Sequence, residues 1–229
     1  MKAAKRAALI LTLVSAASFA DESVKLETNV QKFSYAIGLQ LGDNLKNQGI
    51  LDLDEKAVAQ GIRDYLDGNE LKLTPEAVQE AVSAYQQEMM RKRLALAETN
   101  RAAAETFLKE NAKRSEVVVL DSGVQYEVLE EGTGDMPTET DVVVVHYHGY
   151  LLDGSEFDSS YSRGKPTELE IAQVIPGWQQ TLQLMKEGSK WKVWIPSDLA
   201  YGIKGAGSRI GPNEMLHFDI ELLNIKEDG

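Results

Sequence analysis

The sequence predicts an α+β protein. An all-helical N-terminal region and a long connecting helix precede a curved antiparallel β-sheet wrapped around a short α-helix. Three observations predict it. Up to about residue 70, apolar residues recur at three- and four-residue spacing. After Pro75, up to about Ser115, there is no glycine or proline, and good helix formers dominate. From Val117 onward the pattern alternates with period two and is rich in β-branched and aromatic residues.

The chain has 229 residues, 43% of them apolar, which suffices for one or two folded domains with a sizeable core. Its formal net charge of -12 argues against nucleic acid or an anionic membrane as the main partner. It contains no cysteine, which excludes disulfides, thiolate catalysis and Cys-based metal sites.

Residues 1–20 read as a signal peptide. Lys2, Lys5 and Arg6 form a positive segment, and Ala7 to Ala17 is an apolar run too short to span a bilayer. Ser18-Phe19-Ala20 then offers small residues at the positions a signal peptidase reads. The alternative is an uncleaved amphipathic helix. Cleavage before Asp21 would release a soluble protein with no lipid-anchoring cysteine. Loss of the three positive side chains takes the formal charge from -12 to -15.

Residues 21–73 form the next unit. One helix is expected from near Thr28 to Asn47, with Val30, Phe33, Ile37, Leu41 and Leu45 on one stripe and Gly49 as its stop. A second opens at Asp52-Leu53-Asp54-Glu55, where Asp52 and Glu55 have capping-box spacing. Val58, Ile62, Tyr65 and Leu66 give it a stripe, and Gly68-Asn69 ends it. Two short amphipathic helices do not make a stable core alone. A second copy of the same segment would cover them, so this region is expected to form a homodimer.

Residues 74–115 form the connecting helix. Thr74 can cap, Pro75 suits the first helical position, and Glu76 favours the positive helix end. Val78, Val82, Tyr85 and Met89 make a stripe in its first half. Its second half is polar nearly all round, the pattern of a helix bridging domains through solvent. Phe107 and Leu108 leave room for a helix packed on the next domain near its end.

Residues 116–229 carry the sheet. Val117 to Leu120, Val124 to Leu129 and Asp141 to Leu152 read as strands, and Asp153-Gly154 as a hairpin turn into Glu156-Phe157. Ile175-Pro176-Gly177 ends an extended piece. Trp178, Leu182 and Met185 then share one face of a short helix that Gly188 stops. Trp191, Val193 and Ile195 alternate with Lys190, Lys192 and Trp194. Leu216, Phe218, Ile220 and Leu222 alternate with His217, Asp219 and Glu221.

The segments VHYHGYLLDGSEFDSS, VIPGWQQTL, LAYG and MLHFDIELL, in that order, resemble the FKBP family of peptidyl-prolyl cis-trans isomerases. The resemblance covers residues 116–229. The preceding signal peptide, two small helices and very long helix resemble the Mip/FkpA group of bacterial periplasmic members, which are typically V-shaped homodimers. The resemblance implies a fold of the FKBP type and a pocket for a proline-containing peptide. It implies catalytic roles for Tyr147, Phe157, Asp158 and Tyr201. It implies substrate binding by Val174, Ile175, Trp178, Ile210 and Phe218. Partners would be proline-containing unfolded or partly folded polypeptides and, as inhibitors, macrolides. Localisation would be periplasmic, with outer-membrane association possible. No cofactor or metal is implied. One departure is Thr167, where many members carry an aromatic; Leu169 would partly replace that wall.

The chemistry suits such a pocket. An Xaa-Pro bond interconverts over a barrier of about 20 kcal/mol, and no covalent bond need break. The site must bind the twisted amide better than either planar form, and an apolar site tolerates the less polar twisted amide. The Ile175 N–H and the Tyr201 hydroxyl are candidates to bond the substrate backbone, and Asp158 to orient Tyr147. On residues alone, Trp178, Phe157 and Phe218 are equally core aromatics, Tyr147 and Tyr201 sheet residues, and Asp158 a turn cap. His146 and His148 share a strand face, as a metal pair or as solvent-facing sheet residues. A dimeric chaperone that holds unfolded clients without isomerising them is the alternative function.

Overall fold

The computed structural model describes residues 24–226. The signal peptide expected over 1–20 lies outside them. The chain divides into two units, residues 1–48 and 49–229.

In the first unit, α1 spans Asn29–Asn47. Thr28 and Gln31 close a reciprocal capping box: Thr28 Oγ1 accepts from the Gln31 N–H at 3.2 Å, and Gln31 Oε1 accepts from the Thr28 N–H at 2.9 Å. Gly49 follows with a φ of 75°, as a helix stop requires. No residue of α1 is buried, and Phe33 on its apolar stripe is 68% exposed.

The second unit begins with α2, Glu55–Asp67. Its cap is Asp54, whose carboxylate accepts from the Ala57 N–H at 2.9 Å, and not Asp52. Two aspartates two residues apart offer the same acceptor, so spacing alone does not choose between them. Gly68 ends the helix in the left-handed region, at φ 67°.

α3 spans Pro75–Asn111, 37 residues, capped by Thr74. At 1.5 Å per residue it is about 55 Å long. Its second half is not the solvent bridge its polar surround predicts. Ala97, Ala104 and Asn111 are buried, and Phe107, Leu108, Trp194 and Met215 pack around Ala104. Asn111 Nδ2 donates to Gln125 Oε1 at 2.9 Å, and Gln125 Nε2 donates to the Leu108 carbonyl at 2.9 Å. The buried seam repeats every seven residues and is built from alanine and asparagine. It therefore carries little hydrophobic signal.

Seven strands follow: β1 Val117–Val119, β2 Gln125–Glu130, β3 Val142–Tyr150, β4 Glu156–Ser159, β5 Thr167–Glu170, β6 Lys190–Ile195 and β7 Leu216–Lys226. All pair antiparallel in the order β1-β2-β6-β7-β3-β4, and β5 also pairs with β3. β4 and β5 share β3 as a partner. Val142–Val145 face β5, and His148–Tyr150 face β4. The chain between them, residues 160–166, leaves the sheet.

The inward alternation fits the sequence. Val143, Val145 and Tyr147 of β3, Trp191, Val193 and Ile195 of β6, and Leu216, Phe218, Ile220 and Leu222 of β7 enter one core. The short helix α4, Pro176–Leu182, lays Trp178 and Leu182 on it. It stops earlier than the Trp178–Leu182–Met185 spacing suggests, and Met185 reaches the core from the following turn. Gly177 lets α4 approach closely, because a Cβ there would lie 2.3 Å from Ile195 Cγ2. On the outer face, His146 and His148 are half-buried. Both rings stack on Tyr161, at 4.3 and 4.6 Å between centroids. His146 Nδ1 also shares a hydrogen bond with Ser160 Oγ at 2.8 Å, so both hold the chain after β4.

Candidate active site

The nine residues singled out from the sequence meet at one end of the sheet. Tyr147, Trp178, Ile210 and Phe218 are buried in the core, and Phe157, Val174 and Ile175 pack against it. Tyr201 stands at the rim, 41% exposed. Trp178 from α4, Phe218 from β7 and Tyr147 from β3 meet nearly edge to face: Trp178–Phe218 at 5.1 Å and 83°, Tyr147–Trp178 at 5.2 Å and 87°. Phe157 adds a fourth ring, 5.6 Å from Phe218 at 86°. Above this floor lies a depression of about 420 Å³, lined by Phe157, Asp158, Tyr201 and residues 206–210.

One edge of the floor is polar. Tyr147 Oη donates to Asp158 Oδ2 at 2.5 Å. Arg163 bonds the other Asp158 oxygen, donates to Tyr147 Oη at 2.9 Å, and donates to Thr167 Oγ1 at 3.0 Å. Its guanidinium also sits 5.4 Å from the Tyr147 ring centroid. Burial pushes the Tyr147 phenol up to about 12, and the adjacent Asp158 carboxylate adds to this. Burial works to raise the Asp158 carboxyl. The Tyr147 hydroxyl and Arg163 outweigh it, so Asp158 stays below the usual carboxylate range. The pair is therefore a neutral phenol donating to a carboxylate. Asp158 Oδ1 also accepts from the Ser159 N–H at 2.9 Å, so it caps the turn and orients the tyrosine at once. Burial, then Asp158, raises the Tyr201 phenol as well. The Ile175 N–H, just before α4, donates to no group among the described residues.

Comparison with known proteins fits this geometry. The family described as FKBP-type peptidyl-prolyl cis-trans isomerase matches residues 134–223, and the domain amino-terminal to such isomerases matches residues 30–128. The outer membrane protein MIP of Legionella longbeachae is 44% identical over 225 residues, which is 96% of each chain. The chain belongs to the FKBP-type peptidyl-prolyl cis-trans isomerases. The FKBP-type 22 kDa isomerase of Escherichia coli is 42% identical, over 84% of this chain and 93% of its own. The crystal structure of FkpA from Escherichia coli covers 87% of this chain and 98% of its own, at 34% identity and a TM-score of 0.63.

Three residues of this isomerase escaped the sequence reading. Arg163 lies in the segment that leaves the sheet between β4 and β5. A lone arginine in a Ser-Arg-Gly-Lys-Pro loop carries no positional signal. Arg209 ties the far wall to the near one by donating to the Phe157 carbonyl at 2.8 Å. Gly149 did carry a signal, as a glycine inside a strand. A Cβ there would lie 2.7 Å from Phe157 Cζ and 2.9 Å from Phe218 Cε1, so the two rings occupy its space. Thr167 does not replace an aromatic wall; its hydroxyl accepts from Arg163, while Leu169 packs against the core.

Proposed function

We propose that the depression over Trp178, Phe218, Tyr147 and Phe157 is where this isomerase binds an Xaa-Pro segment. The observation that supports it most is the mutually perpendicular ring floor with a single charged network at its edge. The prolyl ring enters the apolar bowl, with Val174, Ile175 and Ile210 as its sides. The Ile175 N–H and the Tyr201 hydroxyl hold the substrate backbone. The imide carbonyl rotates toward the Tyr147–Asp158–Arg163 edge. Twisting removes amide resonance, and the bowl excludes water that would stabilise the planar, more polar amide. No proton transfer is needed. Asp158 holds Tyr147 in one rotamer, and Arg163 holds Asp158. Macrolide inhibitors would compete for the same bowl.

The same reading gives the protein its setting. After cleavage before Asp21 it works in the periplasm on exported polypeptides, in or near the outer membrane. Among the described residues no helix is long and apolar enough to cross a membrane. Residues 21–73 form a homodimer. The exposed apolar stripe of α1 and the match of residues 30–128 to the amino-terminal domain of such isomerases support this. A dimer presents two pockets to one client and raises the effective concentration of the second.

The test is cis-trans isomerisation of a short Xaa-Pro peptide by the mature chain, Tyr147→Phe and Asp158→Ala. Acceleration by the wild type, lost in folded variants, is the expected result. Equal rates in all three would move the site elsewhere. Sedimentation of the wild type as a monomer would remove the dimer.

A further inference from the structure

One wall of the pocket is a single glycine-rich loop, and α3 grips that loop from behind. The loop runs from Tyr201 to Glu214 and contributes Tyr201, residues 206–209 and Ile210 to the depression. Gly202, Gly205 and Gly207 all have positive φ, at 55°, 59° and 54°. Such a sequence has many alternative conformations, and ordering it costs entropy. Its own bonds are few: Ala206 and Ile210 exchange N–H to carbonyl bonds at 2.9 and 3.1 Å, and the Asn213 N–H donates to the Gly202 carbonyl at 2.9 Å.

The rest of the restraint comes from α3. The short 3₁₀ turn Gly202–Lys204 leaves its last carbonyls without donors of its own, as helix ends do. Arg93 supplies them: its Nη2 donates to the Ile203 carbonyl at 3.2 Å and to the Lys204 carbonyl at 2.6 Å. One and two turns further along α3 the grip continues. Asn213 Nδ2 donates to the Ala97 carbonyl at 3.3 Å. Asn100 Nδ2 donates to the Pro212 carbonyl at 2.9 Å and to Glu214 Oε1 at 3.0 Å. Both ends of the pocket loop are therefore tied to a helix that precedes the sheet in sequence.

We propose that Arg93 and Asn100 of α3 are positioning residues of the isomerase, holding the loop that carries Tyr201 and Ile210 in its substrate-ready conformation. This rests on the reading of the pocket above. Neither residue touches the depression. They act by raising the fraction of molecules whose loop is already placed, and the apparent affinity scales with that fraction. Arg93 is exposed, so removing it empties no core.

The experiment uses the full chain and compares wild type, Arg93→Ala, Arg93→Lys, Asn100→Ala and Arg101→Ala. Arg101 is the control, since its guanidinium pairs with Glu98 and Glu105 on α3 itself. Two readouts are taken: KM and kcat for a short Xaa-Pro peptide, and hydrogen exchange over residues 202–211. Arg93→Ala is expected to raise KM about three- to tenfold, with kcat changed by less than about twofold. Exchange at the Ala206 and Ile210 amides should speed up in Arg93→Ala and Asn100→Ala. It should recover in part in Arg93→Lys and stay at wild-type values in Arg101→Ala. Wild-type exchange over 202–211 in both alanine variants would overturn the proposal. So would a fall in kcat at unchanged KM. An inactive wild type would count against the pocket reading alone, because the exchange arm decides the grip without it.

Discussion

Gly149→Ala is the smallest change that should damage the site without touching a polar group. Gly149 sits in β3 opposite Phe218 of β7 and Asp158 of β4. Its backbone is outside the left-handed region, so alanine adopts it without strain. The obstacle is space. The new Cβ would stand 2.7 Å from Phe157 Cζ, 2.9 Å from Phe218 Cε1 and 3.0 Å from Phe157 Cε2. Carbon atoms prefer about 3.5–4.0 Å, so rings must retreat by roughly 1 Å. Phe218 is 4% exposed and wedged between Trp178 and Tyr147, so it has nowhere to go. Phe157 is half-buried and gives way toward the depression it lines. Overpacking of this kind costs about 1–3 kcal/mol. For a chain of this size, each kcal/mol lowers Tm by about 2–4 °C. A displaced pocket ring should lower kcat/KM for an Xaa-Pro peptide by about tenfold or more. The assay is peptide isomerisation beside a thermal melt. A variant with wild-type Tm and wild-type kcat/KM would refute both the packing at Gly149 and the role given to Phe157.

Other changes separate the site's parts. Arg163→Leu should lower kcat/KM by freeing Asp158 and Tyr147, yet leave Tm within about 2 °C. The pair is largely exposed, and such pairs add little stability; a peptide assay and a melt check both. Phe107→Ala removes a half-buried ring from the Trp194 cluster and should cost about 2 kcal/mol in urea unfolding, roughly half the figure for a fully buried aromatic. Acid should destabilise the fold in a defined window. The carboxyls of Asp219, beside His217, and Glu156, bonded by His148, are both held below their ordinary range, as is that of Asp158. Their contribution is present above the unfolded values, near pH 4, and is lost as pH falls through the depressed folded ones. Glu214, which burial and then Asp153 push up, works in the opposite sense and gains from protonation. Denaturant titrations from pH 6 to pH 2 should therefore show a net loss of stability below about pH 4.

The strands were legible because each carries its own signal. β3, β6 and β7 alternate with period two, and their inward sets Val143–Val145–Tyr147, Trp191–Val193–Ile195 and Leu216–Phe218–Ile220–Leu222 are those of the core. The caps at Thr28 and Thr74 were legible for the same reason: a side-chain oxygen three residues before an N–H it can reach. The nine pocket residues came from a resemblance, and geometry brings all nine to one end of the sheet. Contacts whose partners are distant in sequence stayed hidden. Arg163 bonds Tyr147, sixteen positions away, and Arg93 bonds carbonyls more than a hundred positions away. The docking of α3 was misjudged because burial there falls on Ala97, Ala104 and Asn111. Small and amide side chains pack well but do not advertise a buried face.

The pocket is thus assembled from two kinds of structure with different tolerances. Its floor cannot be separated from the core. Trp178, Tyr147 and Phe218 are among the residues that hold α4 to the sheet, so changes there are felt in stability as well as binding. Its far wall is an exposed loop with glycines at positive φ, stabilised by a handful of hydrogen bonds. Segments of that kind open at low free-energy cost. A floor fixed by packing selects for a prolyl ring whatever flanks it, since the apolar bowl reads only that ring. A wall held from outside by α3 can vary in composition without costing the fold. Preference for the residue before proline should therefore reside in residues 201–214 and in what α3 does to them. Substitutions at Ser208 or Ile203 should shift relative kcat/KM among Xaa-Pro peptides while Tm stays put. If such variants moved Tm and left the ranking of peptides unchanged, the division between floor and wall would be wrong.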